Sequence, residues 1–297
     1  MFFAYKSFGV RILVAITTLA GTFNLIPTQS TAEAVTQSGE TARFAVIGDY
    51  GKAGQEELDV ANLVKSWNPD FIVTTGDNNY MLGEASTIDE NIGQYYHEFI
   101  HPYTGSYGAG ATTNRFFPSI GNHDWDTSNA QPYLNYFTLP GNERYYDFVW
   151  GPVHFFFLDS DVREPDGNTS TSVQASWLQT KLARSTSAWQ VVVLHHPPFS
   201  SGSTHGSSSI LQWPYAAWGV DVVLAGHDHL YERLFRDGIP YFVTGSSGYP
   251  ILYPFGAPIT GSLVRYNSSH GALLVEATSS EMNFAFITKT GSLIDNY

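Results

Sequence analysis

The chain has 297 residues, 43% of them hydrophobic, and carries 14 Lys and Arg against 27 Asp and Glu for a net charge of −13. That is enough apolar material for one large core or at most two domains, and the acidic balance excludes a nucleic-acid binder that works by neutralising phosphates. An anionic ligand would have to be attracted by a local positive site, such as bound metal ions, rather than by the molecule as a whole.

Residues 1–34 read as an export signal. Lys6 and Arg11 give a positive start, Ile12 to Phe23 is mostly apolar, and Ala32-Glu33-Ala34 offers a small-x-small cleavage site. The apolar run is shorter than the roughly 20 residues a membrane span requires. There are no cysteines, which excludes disulfides, thiolate metal sites and a lipid anchor built on a cysteine. A bacterial periplasmic or secreted protein is therefore expected, with no membrane contact after cleavage. Two glycosylation patterns, at Asn168 and Asn267, carry meaning only in a host that glycosylates. Residues 35–297 read as a single domain.

Arg43 to Gly48 is a strand and Gln55 to Trp67 a helix, with apolar Leu58, Val60, Ala61, Leu63 and Val64 and with Asn68-Pro69 as its stop. Phe71 to Thr75 is a second buried strand. This β-α-β unit favours a parallel sheet with ligands at the strands' C-terminal ends. Asp89 to Ile100 reads as helix, and Tyr103 to Thr113 as a glycine-rich loop. Phe116 to Ile120 leads into Gly121. Arg144 to Trp150 and Val153 to Leu158 form a hairpin that turns at Gly151-Pro152. Val173 to Arg184 is helical, and Trp189 to Leu194 and Val220 to Ala225 are buried strands. From Leu234 onward the pattern changes to short strands: Leu234 to Arg236, Tyr241 to Thr244, Ser262 to Tyr266, Ala272 to Ala277 and Asn283 to Thr288. They suggest a second, more antiparallel sheet, giving an α/β architecture of two mixed sheets packed as a sandwich and flanked by helices.

Five short segments end in metal-ligand residue types, and most follow an apolar run. They are Gly48-Asp49-Tyr50-Gly51, Gly76-Asp77-Asn78-Asn79-Tyr80, Gly121-Asn122-His123-Asp124, Val192-Val193-Leu194-His195 and Gly226-His227-Asp228-His229. Taken singly they are weak. An Asp after Gly at a strand end is as often a turn or a cap, and Tyr80 alone reads as packed aromatic. Two histidines at i and i+2 on extended backbone point to opposite sides, so His227 and His229 could address two ions from one loop. Five such segments in order make chance a poor explanation. Oxygen and nitrogen donors of this kind suit iron, zinc or manganese.

This pattern resembles the calcineurin-like metallophosphoesterases, and more narrowly the purple acid phosphatases in their small, tartrate-resistant form. The likeness runs from about Ala42 to Asn283. Tyr80 is the narrowing residue, because a phenolate bound to ferric iron gives that family its colour. The resemblance implies a four-layer metallophosphoesterase fold and a dinuclear centre of two metal ions. Asp49, Tyr80 and His229 would hold Fe(III), Asn122, His195 and His227 would hold Fe(II), Zn(II) or Mn(II), and Asp77 would bridge them. It implies His195 rather than His196 as the ligand, and it gives Asp124 and Asp228 no metal role. His123 would face the phosphoryl group, and His205 would meet the substrate and protonate the leaving alkoxide. The implied reaction is in-line attack of a metal-bound hydroxide on a phosphomonoester, releasing inorganic phosphate. A phosphodiesterase or pyrophosphate hydrolase is the nearest alternative, and a non-catalytic exported phosphate- or metal-binding protein the distant one. His97, His101, His154 and His270 match no motif and read as structural. Trp125 and Tyr103 read as packing, and the loops Met81 to Asn114 and Asp161 to Thr171 as the rim that selects substrate.

Overall fold

The computed structural model describes residues 36–37 and 39–297. The export signal read over residues 1–34 lies outside them, and among the described residues no helix is long and apolar enough to cross a membrane. In chain order the strands are β1 (Thr36–Gln37), β2 (Thr41–Ile47), β3 (Phe71–Thr74), β4 (Phe116–Pro118), β5 (Tyr146–Trp150), β6 (Val153–Phe157) and β7 (Trp189–Val193). They continue with β8 (Val222–Ala225), β9 (Tyr231–Arg236), β10 (Ile239–Thr244), β11 (Ser262–Tyr266), β12 (Gly271–Thr278), β13 (Met282–Thr288) and β14 (Leu293–Asn296). One sheet has the order β1-β5-β6-β7-β8-β10-β9-β11, the other β14-β13-β12-β2-β3-β4.

Each sheet has a parallel centre. In the first, β6, β7, β8 and β10 run parallel, with Phe155 opposite Val191, Val191 opposite Val222, and Leu224 opposite Phe242. In the second, β2, β3 and β4 run parallel, with Phe44 opposite Phe71 and Ile72 opposite Phe116. Such strands are covered on both faces, and so β3, β6 and β8 are buried along their whole length.

Alternation along the strands builds two interiors. Between the sheets lies a layer of aromatic rings. Phe71 meets Phe148 at 5.9 Å, Trp150 at 4.6 Å and Phe155 at 5.5 Å, and Phe117 stacks on Phe148 at 3.8 Å. Further along, Tyr231 stacks on Phe286 at 4.0 Å and Phe242 on Phe284 at 4.5 Å. Each buried ring of this kind contributes about 1.5–3 kcal/mol by leaving water. On the outer face of the first sheet, Phe156, Val192 and Val223 pack with Ala175, Leu178 and Leu182 of helix Val173–Leu182. Helix Gln55–Ser66 covers the second sheet beside β12 with Val60, Ala61 and Val64.

Two mixed sheets with flanking helices match the expected class, but the C-terminal strands do not form a sheet of their own. β10 joins the first sheet parallel to β8, β9 and β11 extend it antiparallel, and β12, β13 and β14 extend the second antiparallel from β2. Alternation in a strand marks its buried face and says nothing of its partner. Here the partner is the open edge of β2, where Val275 pairs with Phe44. The helix expected over Asp89 to Ile100 is an irregular run, a π-turn at Asp89–Gly93, α at Gln94–Tyr96 and 3-10 at His97–Phe99. Short helices at Asn122–Trp125, Gln131–Tyr136 and Tyr215–Trp218, and the strand β14, were not expected.

Helix Gln55–Ser66 buries one charge-bearing group. Neither carboxyl oxygen of Glu57 has a hydrogen-bond partner, and burial pushes its pKa well up. Below the unfolded pKa of about 4.3 the group is protonated in both states and adds no cost from ionisation. As pH rises from there towards the folded pKa, only the unfolded chain ionises freely and stability is lost. Glu57→Gln is therefore expected to melt at higher temperature than the parent at pH 7, with the gap closing towards about pH 4. A gap that does not change over that range in thermal melts would contradict the neutral, unpartnered Glu57.

Candidate metal centre

All five segments follow the C-terminal ends of parallel strands. Asp49 comes after β2, Asp77 and Tyr80 after β3, Asn122 after β4, His195 after β7 and His227 after β8. The two sheets contribute to one place because backbone bonds tie their ends together. Ser247 N–H donates to Gly48 O at 3.1 Å and Tyr249 N–H to Asp49 O at 2.9 Å, linking the loop after β10 to the loop after β2.

Turning sharply off a strand end requires unusual backbone. Asp49, Asp77 and His227 all have left-handed φ values, 52°, 53° and 70°, a conformation a non-glycine residue holds only when its surroundings enforce it. Close approach requires glycine nearby. A Cβ on Gly226 would lie 2.5 Å from Asp49 Oδ2, and one on Gly76, itself at φ +96°, would lie 2.6 Å from His195 Nδ1.

The seven expected ligand residues converge. Tyr80 Oη lies 3.2 Å from Asp49 Oδ1, 3.0 Å from Asp77 Oδ2 and 3.1 Å from His229 Nε2. His229 Nε2 is 3.4 Å from Asp49 Oδ1. On the other side, Asp77 Oδ2 is 3.4 Å from His195 Nε2, which is 3.0 Å from Asn122 Oδ1 and 3.1 Å from His227 Nδ1. One oxygen of Asp77 thus faces both groups, Tyr80 on one side and His195 on the other. Asp49, Asp77, Tyr80, His195 and His229 are buried.

Two backbone carbonyls orient the imidazoles. His195 Nδ1–H donates to Thr75 O at 2.9 Å and His229 Nδ1–H to Ile251 O at 2.9 Å, which turns both Nε2 atoms inward. The centre then holds more acceptors than protons. The single phenol proton of Tyr80 meets three acceptors, and Asn122 Oδ1 faces His195 Nε2. Such a set is suited to a cation, and with no thiolate it suits hard to borderline ions. The protonation balance reports the same surplus. Burial works against a charged His195, yet Asp77 and Asp49 raise its pKa to about 10. Burial works against a charged Asp77 as well, but His195, His123 and His227 hold it well below the usual carboxylate range. Burial, together with Asp77 and Asp49, pushes the Tyr80 phenol well up, so its deprotonation would require a strong cation. Burial and the neighbouring His195 keep His227 far below the usual histidine value.

The two expected substrate-side histidines flank this centre. His123 N–H donates to Asp77 Oδ1 at 3.0 Å, its Nδ1–H to Met81 O at 2.6 Å, and its Nε2 lies 4.0 Å from Asp77 Oδ2. His205 is exposed, its ring 4.0 Å from that of His227. Partial desolvation of the ring against His227 and Tyr253 lowers its pKa, and the Asp228 carboxylate opposes that shift. A recess of about 320 Å³ opens here, lined by His196, His205, His227, Thr204, Ser207 and Ser208. Asp124 accepts from Gly121 N–H at 2.8 Å and Asn78 Nδ2 at 2.9 Å, fastening the Asn122 turn to the Asp77 turn, and burial with the nearby Asp77 raises its pKa to about 7.

The sequence missed several neighbours. Tyr253 stacks on His229 at 4.0 Å, and Tyr249 lies 4.4 Å from Tyr80. Both sit in an irregular loop with no ligand-type residue to flag it. The His196 backbone N–H donates to Ser160 Oγ at 2.9 Å, and its ring lies 4.3 Å from His227. Its doubled histidine was the only signal. Arg163 donates to Asn122 O at 2.8 Å and to Asp126 at 2.9 Å, so the loop after Asp161 does reach the site. Trp125 and Tyr103 are packing residues, bonded to Asp159 and Asp89. His97, His101 and His154 bond to partners away from the centre, and His270 Nε2–H donates to the backbone oxygen of Tyr249 beside it. Asn168 is buried, with its amide donated to Ser160 O.

The family model described as calcineurin-like phosphoesterase matches residues 42–231. Among curated relatives, purple acid phosphatase 4 of Arabidopsis thaliana is 25% identical, covering 86% of this chain and 82% of its own length. Purple acid phosphatase 17 of the same plant is also 25% identical, covering 88% and 85%. Among solved structures, purple acid phosphatase PPD1 from yellow lupin seeds superposes with a TM-score of 0.70 at 17% identity, over 88% of this chain and 54% of that one. GAP50, the anchor in the inner membrane complex of Plasmodium, superposes with a TM-score of 0.66 at 21% identity, over 87% and 88%.

A single oxygen, Asp77 Oδ2, lies within 3.4 Å of the side chains of both Tyr80 and His195, one in each half of the centre. Asp77→Ala is expected to lose both ions together when metal content is measured after purification. Retention of full metal content would contradict the bridging position.

Proposed function

The chain belongs to the calcineurin-like phosphoesterase family, and from that premise we propose that it is an acid phosphatase acting on phosphomonoesters at a dinuclear centre. The observation that carries this reading is the set of seven oxygen and nitrogen donors gathered around Asp77, with Tyr80 in contact with both carboxylates. In this reading Asp49, Tyr80 and His229 hold a ferric ion, Asn122, His195 and His227 hold a divalent iron, zinc or manganese, and Asp77 lies between. Two cations so held supply positive charge to the phosphoryl oxygens and lower the pKa of a water.

The protein's own groups do the rest. Thr75 O and Ile251 O keep His195 and His229 in the tautomer that presents Nε2 inward. The bond from Nδ1–H to Met81 O leaves His123 Nε2 free on the substrate side, where the doubly protonated ring donates to a phosphoryl oxygen. His205 stands at the open edge beside His227 and passes a proton to the departing alcohol oxygen. Phosphate and an alcohol leave. Small phosphomonoesters and inorganic phosphate are then the partners, and the periplasm or the medium is the place of action.

The first test compares p-nitrophenyl phosphate with its bis-ester across pH. Faster turnover of the monoester is expected. Preference for the bis-ester would favour a diesterase, and release of nitrophenol from neither would contradict the enzyme reading.

A second test uses His205. Partial desolvation lowers its pKa below the ordinary value of 6.5, and a general acid works only while it holds its proton. The rate with an alkyl phosphate is expected to fall as pH rises through that lowered value. His205→Ala is expected to cost about 10²-fold or more and to remove this limb from the profile. An unchanged limb in the variant would assign the proton to another group.

A further inference from the structure

The motif Gly226-His227-Asp228-His229 holds one residue that the proposed chemistry does not use. His227 and His229 face the centre, while Asp228, on a turn bent by the left-handed His227 rather than on extended backbone, points to the loop that follows Pro198. Its carboxylate is fully buried and gathers the loop that carries His205. Asp228 Oδ2 accepts from Ser200 Oγ at 2.5 Å and from Gly206 N–H at 3.0 Å, and Oδ1 accepts from His205 N–H at 3.2 Å. Ser200 Oγ in turn accepts from Gly202 N–H at 3.0 Å. The loop is wrapped closely, since a Cβ on Gly202 would collide with that carboxylate. Loop Ser200–Ser207 contains no regular element apart from an isolated bridge between Gly202 and Phe255. Its shape therefore depends on hydrogen bonds. Ser201 N–H and Oγ donate to the buried Glu232 and Ser203 N–H and Oγ to Pro254 O, at the near end of the loop. Ser207 Oγ accepts from Ser200 N–H and donates to Ser200 O, and His205 and Gly206 themselves are held by Asp228.

We propose that Asp228 is a positioning residue, which docks the His205 loop onto the turn bearing His227 and His229 and so fixes the distance between His205 and the metal centre. Charge-assisted bonds to two backbone N–H groups and a hydroxyl are among the stronger available. They explain why an acidic residue stands between two ligand histidines without facing the ions. The inference rests on the reading of His205 as proton donor, and it makes a separate demand. Weakening Asp228 should act through His205 and leave the ligand set in place.

The test is Asp228→Asn, with Ser200→Ala as the milder variant should the first fail to fold. Asp228→Asn keeps the size but offers one acceptor oxygen where three donors converge. Each variant is measured for metal content, for kcat and KM on an alkyl phosphate and on p-nitrophenyl phosphate, and for amide exchange in Ser200–Ser207. Expected are full metal content, a little-changed KM, faster exchange at His205 and Gly206, and a drop in kcat of about 10–100-fold on the alkyl ester, the scale on which losing an orienting hydrogen-bond partner acts. The nitrophenyl ester, whose leaving group needs little protonation, should lose much less. In a His205→Ala background Asp228→Asn should add nothing further.

Loss of metal in the variants, an equal loss on both esters, or full additivity with His205→Ala would overturn the proposal. Should the parent hydrolyse neither ester, the acid-phosphatase reading fails, and amide exchange still decides the docking. Unchanged protection of His205 and Gly206 would overturn it, and faster exchange would uphold it.

Discussion

Two carboxylates, a phenol and three imidazoles sit within hydrogen-bond reach of one another with too few protons to satisfy them. Much of the molecule around the centre serves to hold that arrangement. Left to relax, Asp49 and Asp77 would separate and Tyr80 would choose one acceptor. They do not, because each leaves a parallel strand through a left-handed turn that neighbouring loops enforce. The strands in turn are fixed by the aromatic layer between the sheets, where Phe71 lies against Phe148, Trp150 and Phe155. The acceptor surplus holds a proton on His195, and a cation would compete with that proton for the same lone pair.

The residues next to the ligands divide the work of positioning. Thr75 and Ile251 act through carbonyl oxygens, setting which nitrogen of His195 and His229 is free. Asp124 and Asp228 act through carboxylates that face away from the centre. Asp124 collects N–H groups of Gly121 and Asn78 and joins the turns after β3 and β4, while Asp228 collects those of His205 and Gly206. Each of these two motifs thus pairs inward-facing residues with an outward-facing acid that fastens a loop from earlier in the chain.

Much of this was legible in the sequence because metal chemistry demands particular side chains. Asp49, Asp77, Tyr80, Asn122, His195, His227 and His229 could be picked out as candidates by type and by the apolar strands before most of them, and the structure brings all seven together. What could not be read was pairing. The strands after Tyr231 have the right alternation, but whether β12 adds to β2 or to β11 depends on which edge is open in three dimensions. Packing partners were equally silent. Tyr253 lies in a loop rich in proline and glycine, and only the folded chain shows it stacked on His229. Asp228 looked idle for the same reason, since its hydrogen-bond partners at Ser200, His205 and Gly206 are more than 20 residues away.

In the proposed reading Tyr80 joins two carboxylates and an imidazole around a ferric ion, with a second ion across Asp77. Metal analysis of the purified protein, taken with its visible spectrum and that of Tyr80→Phe, tests this most directly. The expected result is two metal ions per chain, one of them iron, and a visible band in the parent that is absent from the variant. A parent protein that is colourless while fully metallated and active would contradict the assignment of Tyr80 to ferric iron.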